Sequence, residues 1–150
     1  MMIRIVYPEV APKLSNSGNE RKIWCMIRRR WLVFTPEEWV RQNFLLFLTE
    51  RMQYPLSLIA VEKKVLVGEL SQRFDIVVFD SSVKPWLLIE CKEPGVKLSN
   101  ETFFQAMRYH RSLQASFICI TNGNEVMLTK TENGELIYCD AFPEMAKVNP

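Results

Sequence analysis

The sequence predicts a single mixed α/β domain: one helix, three strands, a second helix and a further strand, followed by a C-terminal β-hairpin. Three observations lead to this fold class. A helix-start signal at residue 35 precedes an amphipathic stretch, short apolar runs rich in branched residues lie between residues 59 and 91, and a second capped helix separates them from another apolar run at 116–121. A chain of 150 residues is long enough to bury one sizeable core.

The composition is that of an ordinary globular protein, with 48% hydrophobic and 24% charged residues. A net charge of +2 is compatible with a polyanionic partner but too small to indicate one. The four cysteines are widely spaced and mostly lie in apolar runs, which predicts reduced core thiols and a cytoplasmic location. No apolar run is long enough for a signal peptide or a membrane span, so we expect no membrane partner.

The N-terminal residues are expected to form a short strand at 3–7 and then a loop at 8–20. Strands at 23–27 and 31–34 flank the triplet Arg28, Arg29 and Arg30. This triplet is either a solvated turn or a contact to a phosphate backbone. We divide the chain into an N-terminal arm and linker, the folded domain, and a C-terminal tail, at residues 1–22, 23–141 and 142–150.

The first helix is predicted to begin after Thr35 as N-cap, with Pro36 in its first turn, and to run to about Arg51. Apolar residues at helical spacing predict its buried stripe: Val40, Phe44, Phe47 and Leu48. Glu37 lies one turn before this stripe, so its carboxylate either points inward or, with Glu38, complements the helix dipole.

Three consecutive strands are predicted next. The first spans 59–67 and contains Glu62, which we place at the sheet edge rather than at a metal. The other two form a hairpin over residues 72–92, with its turn centred between Ser82 and Val83.

This hairpin brings three charged residues together. Antiparallel pairing about that turn places Asp75 opposite Glu90, with their side chains about 5 Å apart. Lys92 follows two residues later and shares the face of Glu90, whereas Cys91 points to the other face. Two carboxylates at this distance repel by roughly 3 kcal/mol at an effective dielectric of 20. A divalent cation would relieve that repulsion, and oxygen ligands favour Mg²⁺ or Mn²⁺ over zinc.

A second helix is predicted from Ser99 or Asn100 to about Leu113, and it places Gln105 and Tyr109 one above the other. Such a pair either contacts a phosphate or metal-bound water, or is simply a surface glutamine beside a half-buried tyrosine. His110 is isolated, and we interpret it as structural. A strand at 116–121 and a hairpin formed by 125–129 and 135–139 complete the chain.

Together these residues resemble a known motif. Asp75 followed by Glu90-Cys91-Lys92 resembles the motif of the PD-(D/E)XK nuclease superfamily. The neighbouring segments TPEEWVRQ, RFDIVVFD, LLIECKEP and TNG, with Gln105 and Tyr109 four apart, are similar to the N-terminal nuclease domain of type I restriction enzyme R subunits. The similarity covers roughly residues 23–138. Phe74 replaces the proline of the motif, and the chain contains no GxxxxGK[ST] phosphate loop, which excludes ATP-driven translocation by these residues.

The resemblance implies a restriction-endonuclease-like core that hydrolyses phosphodiester bonds in DNA. It implies that Asp75, Glu90 and the main-chain carbonyl of Cys91 hold Mg²⁺ or Mn²⁺, with Glu37 as a possible auxiliary ligand. Lys92 would orient or deprotonate the attacking water or neutralise the developing charge, and Gln105 and Tyr109 would steady the water or the DNA strand. Arg73 and the Arg28–Arg30 triplet are further candidates for DNA contacts.

Three hypotheses remain at this stage. In the first, the chain is a metal-dependent deoxyribonuclease that acts alone, as a homodimer, or with helicase or methyltransferase subunits of a restriction system. Alternatively, it is a nucleic-acid-binding or assembly module on the same fold that does not cut. In the third, the two acids and Lys92 form an internal ion-pair network.

Overall fold

The computed structural model describes residues 2–107 and 115–145 of the chain. These residues form two β-sheets and two α-helices. The strands are β1 (Ile3–Arg4), β2 (Leu14–Ser15), β3 (Lys22–Cys25), β4 (Arg30–Val33), β5 (Ile59–Val67), β6 (Leu70–Phe79), β7 (Pro85–Cys91), β8 (Phe117–Thr121), β9 (Glu125–Glu132) and β10 (Glu135–Tyr138), and the helices are α1 (Pro36–Leu46) and α2 (Asn100–Ala106). A π-helical turn, Phe47–Arg51, extends α1, and a 3₁₀ turn, Leu56–Leu58, precedes β5.

The central sheet is mixed and has the strand order β1-β9-β8-β7-β6-β5, with β10 also paired to β9. Neighbouring strands are antiparallel except β7 and β8, which are parallel and joined through α2. Phe44 of α1 packs with Ile89 on one face of the sheet, and Phe103 of α2 packs with Leu88 on the other. The predicted mixed α/β fold, with helices flanking a central sheet, is confirmed.

Helix α1 begins as the sequence predicts. The Thr35 hydroxyl accepts a hydrogen bond from the Glu38 N–H at 3.0 Å, and Pro36 occupies the first turn, where no N–H is needed. All four residues of the predicted stripe are buried. Because the π-helical turn continues to Arg51, the predicted length of the helical segment is also correct.

The hairpin β6–β7 has the predicted register. Ile76 pairs with Ile89 and Val77 with Leu88, as predicted, but a register shift between Val78 and Phe79 pairs Phe79 with Pro85 and centres the turn on Ser82 rather than between Ser82 and Val83. Asp80 shapes that turn, since its side chain accepts hydrogen bonds from two later N–H groups. The register therefore aligns Asp75 with Glu90, one step beyond the last regular pair.

The N-terminal residues contain more structure than the sequence indicated. Residues 14 and 15, predicted as loop, form β2 and pair with β3 in a separate three-stranded sheet. The strand predicted at 3–7 is confined to Ile3–Arg4, which joins the central sheet beside β9. Strands of two residues are too short for a period-two signal, so their existence depends on the partner strand.

Helix α2 is shorter than predicted. Ser99 caps it as expected, but it ends at Ala106, because Met107 adopts a non-helical conformation with its side chain fully buried. The prediction of one continuous helix to about Leu113 is therefore wrong at Met107. Tyr109 and His110 lie outside the described residues, so the predicted pairing of Tyr109 with Gln105 stays a prediction.

Candidate active site at the ends of β6 and β7

The regular backbone pairing of β6 with β7 ends at the site. Beyond it, the carboxylates of Asp75 and Glu90 accept hydrogen bonds from backbone N–H groups of the opposite strand. Beyond the Ile76–Ile89 pair, the N–H of Asp75 donates to Glu90 Oε1 at 3.2 Å. The N–H of Cys91 donates to Asp75 Oδ2 at 2.7 Å. Each acid thus accepts a hydrogen bond from the opposite strand, which brings Asp75 and Glu90 together as the register predicted.

The environment of Glu90 opposes its ionisation. Burial, and then the nearby charge of Asp75, raise the pKa of Glu90 to about 8, and the ammonium of Lys92 offsets part of this rise. The site therefore contains more negative charge than its own cations neutralise.

Lys92 directly follows β7 and is fixed through its backbone. Its N–H donates to the Thr121 carbonyl at 2.7 Å, which continues the parallel pairing of β7 with β8. The side chain is half-buried and lies near enough to Glu90 and Glu37 to oppose the rise of both pKa values. The ammonium nevertheless makes no ion pair with any described residue. The internal ion-pair network with Lys92 is therefore not observed, and Cys91 lies in the core as predicted.

Arg41 of α1 is the ion-pair partner of Asp75, a contact that the sequence pattern did not predict. Its Nη2 lies 2.9 Å from Asp75 Oδ1. The same guanidinium reaches three further carboxylates, Glu38 at 3.0 Å, Glu62 at 3.4 Å and Glu37 at 3.6 Å. Only 5% of the Arg41 side chain is exposed. We refer to these five residues as the Arg41 cluster.

A sequence signal for Arg41 was available. The residue lies between Val40 and Phe44, on the side of α1 that packs on the sheet, and it follows Glu37 and Glu38 by four and three positions. A charged residue within a buried stripe requires partners from another element, because an unpaired buried charge is very costly. Sequence spacing could not show that Asp75 is one of those partners.

The three glutamates of the cluster differ in how fully they are engaged. Both oxygens of Glu38 accept hydrogen bonds, one from Arg41 and one from Gln42. Glu37 makes only the long contact to Arg41 in the described part of the chain, and 44% of its side chain is exposed. Burial, and then the charge of Asp75, raise the pKa of Glu37. Glu37 thus faces the acid pair and keeps oxygen capacity for a ligand.

Glu62 lies on the edge strand β5, as predicted, and links the site to the smaller sheet. It adopts φ = +48° and interrupts the pairing of β5 with β6 opposite Asp75. One oxygen contacts Arg41 and the other accepts a hydrogen bond from Arg28. Arg28 is therefore occupied within the protein, whereas Arg29, Arg30 and Arg73 are exposed.

Gln105 is exposed near the end of α2, and no described contact joins it to Asp75 or Glu90. Because Tyr109 lies outside the described residues, the roles predicted for this pair stay predictions.

The residues present fit a magnesium or manganese ion by donor chemistry. Asp75, Glu90 and the Cys91 carbonyl offer only oxygen, which is the ligand that these hard cations prefer. Asp75 accepts one hydrogen bond on each oxygen, and each oxygen retains a second lone pair. Within residues 2–107 and 115–145, no group of three or more His, Cys, Asp or Glu side chains is arranged to hold a metal. A cation would therefore rely on main-chain and water oxygens in addition to the acid pair.

The strand order and the flanking helices define a mixed α/β domain compatible with a restriction-endonuclease-like fold. The family model of the type I restriction enzyme R protein N terminus matches residues 36–143, and the chain belongs to this family. No curated protein matches the chain significantly. Among the described helices, none has the length and apolar character that crossing a membrane requires.

Proposed function

We propose that this chain is a metal-dependent endonuclease domain that hydrolyses phosphodiester bonds in DNA. The observation that supports this most strongly is the acid pair where the regular pairing of β6 with β7 ends, with the ammonium of Lys92 nearby and in no ion pair with a described residue. A binding module has no evident use for a half-buried lysine that pairs with no acid in the described part of the chain. Membership of the R-subunit family supports a role related to restriction.

In this proposal, Asp75, Glu90 and the Cys91 carbonyl hold Mg²⁺ or Mn²⁺, with Glu37 as an auxiliary oxygen ligand. When bound, the cation would supply Lewis-acid activation of water and of the scissile phosphate. Lys92 would orient the attacking water, take its proton, or neutralise charge on the phosphate in the transition state.

DNA contacts would come from outside the acid pair. The exposed arginines Arg29, Arg30 and Arg73 are proposed to contact the phosphate backbone, since Arg28 is committed to Glu62. Gln105 and Tyr109 are proposed to steady the DNA strand. We further propose helicase or methyltransferase subunits as partners and a homodimer as the cutting form.

One observation favours a second candidate, a nucleic-acid-binding module that does not cut. Both oxygens of Asp75 are engaged by protein groups, one by Arg41 and one by the Cys91 N–H. While these contacts persist, only the second lone pair of each Asp75 oxygen is left for a cation, which weakens cation binding and favours a site that binds DNA without cutting it. The two candidates differ in whether a product forms, so one assay separates them.

The test is a plasmid-nicking assay with Mg²⁺ or Mn²⁺ on the wild-type chain and on Lys92→Ala. We expect nicking that disappears with chelator and in the variant, while the far-UV circular dichroism spectrum is unchanged because Lys92 forms no ion pair within residues 2–107 and 115–145. Lys84→Ala, in the exposed turn at the opposite end of the hairpin, is the matched control and should retain activity.

Each alternative outcome has a defined meaning. Cutting that persists in Lys92→Ala would identify a contaminating nuclease. A salt-dependent gel shift with no product under any cation would favour the binding module. Loss of activity in the Lys84→Ala control as well would remove Lys92 from its proposed role.

A further inference from the structure

We propose that Arg41 is the internal counter-charge of the acid site: it positions Asp75 and lowers the affinity of the site for divalent cations. This inference rests on the proposed metal-dependent function. Arg41 is a positioning residue in this proposal, because it acts on the reacting groups only through Asp75.

The first support is the division of contacts between the two ends of the guanidinium. Nη1 holds Glu38 and Glu62, each of which has a second partner in Gln42 or Arg28. These two glutamates anchor the guanidinium. Nη2 is then directed at Asp75, at 2.9 Å, with Glu37 as a longer contact. Because the guanidinium is planar and rigid, holding Nη1 at Glu38 and Glu62 also fixes the direction in which Nη2 points, which is towards Asp75.

The second support is burial. Only 5% of the Arg41 side chain is exposed, and its Nε is buried without a hydrogen-bond partner among the described residues. Leaving a buried donor unsatisfied is costly, so the position is poorly suited to an ordinary structural arginine. A requirement for positive charge beside several carboxylates explains why arginine occupies it.

The third support is the charge balance. Four carboxylates lie within 3.6 Å of one guanidinium, and Glu90 adds a further acid next to Asp75. Arg28 neutralises part of this charge, but it contacts Glu62 alone within the cluster. Arg41 is thus the only described cation in direct contact with Asp75.

Asp75 is held from two directions as a result. Arg41 binds one carboxylate oxygen and the Cys91 N–H binds the other, which fixes the plane of the carboxylate. The same guanidinium places a positive charge next to any cation that shares Asp75. Like charges at this distance repel, so Arg41 should weaken cation binding while it aligns the ligand.

The test measures Mn²⁺ affinity without DNA, by electron paramagnetic resonance of the free ion, for the wild type, Arg41→Met and Arg41→Lys. Removing the charge in Arg41→Met should tighten Mn²⁺ binding by roughly tenfold or more. Arg41→Lys keeps the charge and should remain within about threefold of wild type. Arg28→Met is the matched control, because Arg28 shares Glu62 but does not contact Asp75, and its Mn²⁺ affinity should change little.

A second readout separates the role of Arg41 in aligning Asp75 from the effect of its positive charge. Both Arg41→Met and Arg41→Lys should lower kcat for plasmid nicking, because neither methionine nor lysine has the planar guanidinium that contacts Glu38, Glu62 and Asp75 at once. If Arg41→Met unfolds without cation, Mn²⁺ should restore the folded state, and tryptophan fluorescence would monitor this refolding.

Several results would overturn the proposal: wild-type Mn²⁺ affinity in Arg41→Met, weaker affinity in that variant, or a variant that no Mn²⁺ concentration refolds. If the wild-type chain binds no Mn²⁺, the proposed function fails separately. In that case Mn²⁺ capture by Arg41→Met would still support the counter-charge role, and its absence would overturn that role too.

Discussion

Glu90 is the half-buried acid whose ionisation the metal-free protein opposes. Burial and the charge of Asp75 raise its pKa to about 8, so the folded state binds this proton more tightly than the unfolded state does. Stability from this group is therefore greatest at low pH and is lost as the pH rises from its unfolded pKa to about 8. In chelator, we expect the unfolding free energy to fall by roughly 3 kcal/mol between pH 5 and pH 9 through this group.

Glu90→Gln provides the comparison for that pH dependence, since glutamine has a similar shape and does not titrate. Urea denaturation of both chains across this pH range should show stabilities that converge at low pH and separate in favour of the variant as the pH rises to about 8. If the stabilities of the two chains stayed parallel across this pH range, the pKa of Glu90 would not be raised in the folded protein.

The charged residues show how far sequence alone can specify a site. Asp75 and Glu90 could be paired from their numbering because a hairpin register is local and has a period of two. Lys92 followed from the same argument. Arg41 could not be assigned to Asp75, because that contact depends on how α1 lies on the sheet, and this is decided by packing between distant elements.

The turn of the β6–β7 hairpin contains a strained residue. Val83 adopts φ = +60°, a left-handed conformation that β-branched side chains avoid, and 71% of it is exposed. Replacing Val83 with asparagine, which tolerates this conformation, should stabilise the protein by about 0.5–1 kcal/mol.

Thermal denaturation would measure the effect, with Val33→Asn as the control. Val33 is also exposed but lies in the extended strand β4, where valine is favoured, so the same exchange there should be neutral or destabilising. Stabilisation at both positions would indicate that replacing an exposed valine with a polar side chain is favourable in itself, and that relief of backbone strain is not the cause.

Among the elements, those with strong local signals were predictable. The Thr35 cap and the strand β5 were found because caps and branched runs act over a few residues. The end of α2 was not predicted, because no glycine, proline or other helix-ending residue stands at or just after Met107. The short strand β2 exists only through its pairing with β3.

At the scale of the whole molecule, residues after β10 return to the core. Phe142 is 9% exposed and packs against Phe44 and Phe47, with ring centroids 5.9 and 5.2 Å away, and the Tyr54 hydroxyl donates to the Pro143 carbonyl. We expect Phe142→Ala to lower the unfolding free energy by about 3 kcal/mol.

Urea denaturation of Phe142→Ala, with Leu66→Ala at a site that is 77% exposed as the control, would check this contribution. The control should change stability by less than about 0.5 kcal/mol. A similarly small change in Phe142→Ala would show that residues after β10 are dispensable for folding, as their assignment to a C-terminal tail had implied.

The salt bridge between Arg28 and Glu62 has a consequence for where this domain can be shortened. The family match starts at residue 36, yet Arg28 lies before that boundary and neutralises a carboxylate that Arg41 also contacts. A chain trimmed to start at residue 36 would therefore lack Arg28, a positive charge that contacts the Arg41 cluster through Glu62. Trimming at that boundary would leave Arg41 as the remaining described ion-pair partner of Glu62 and would also remove the smaller sheet.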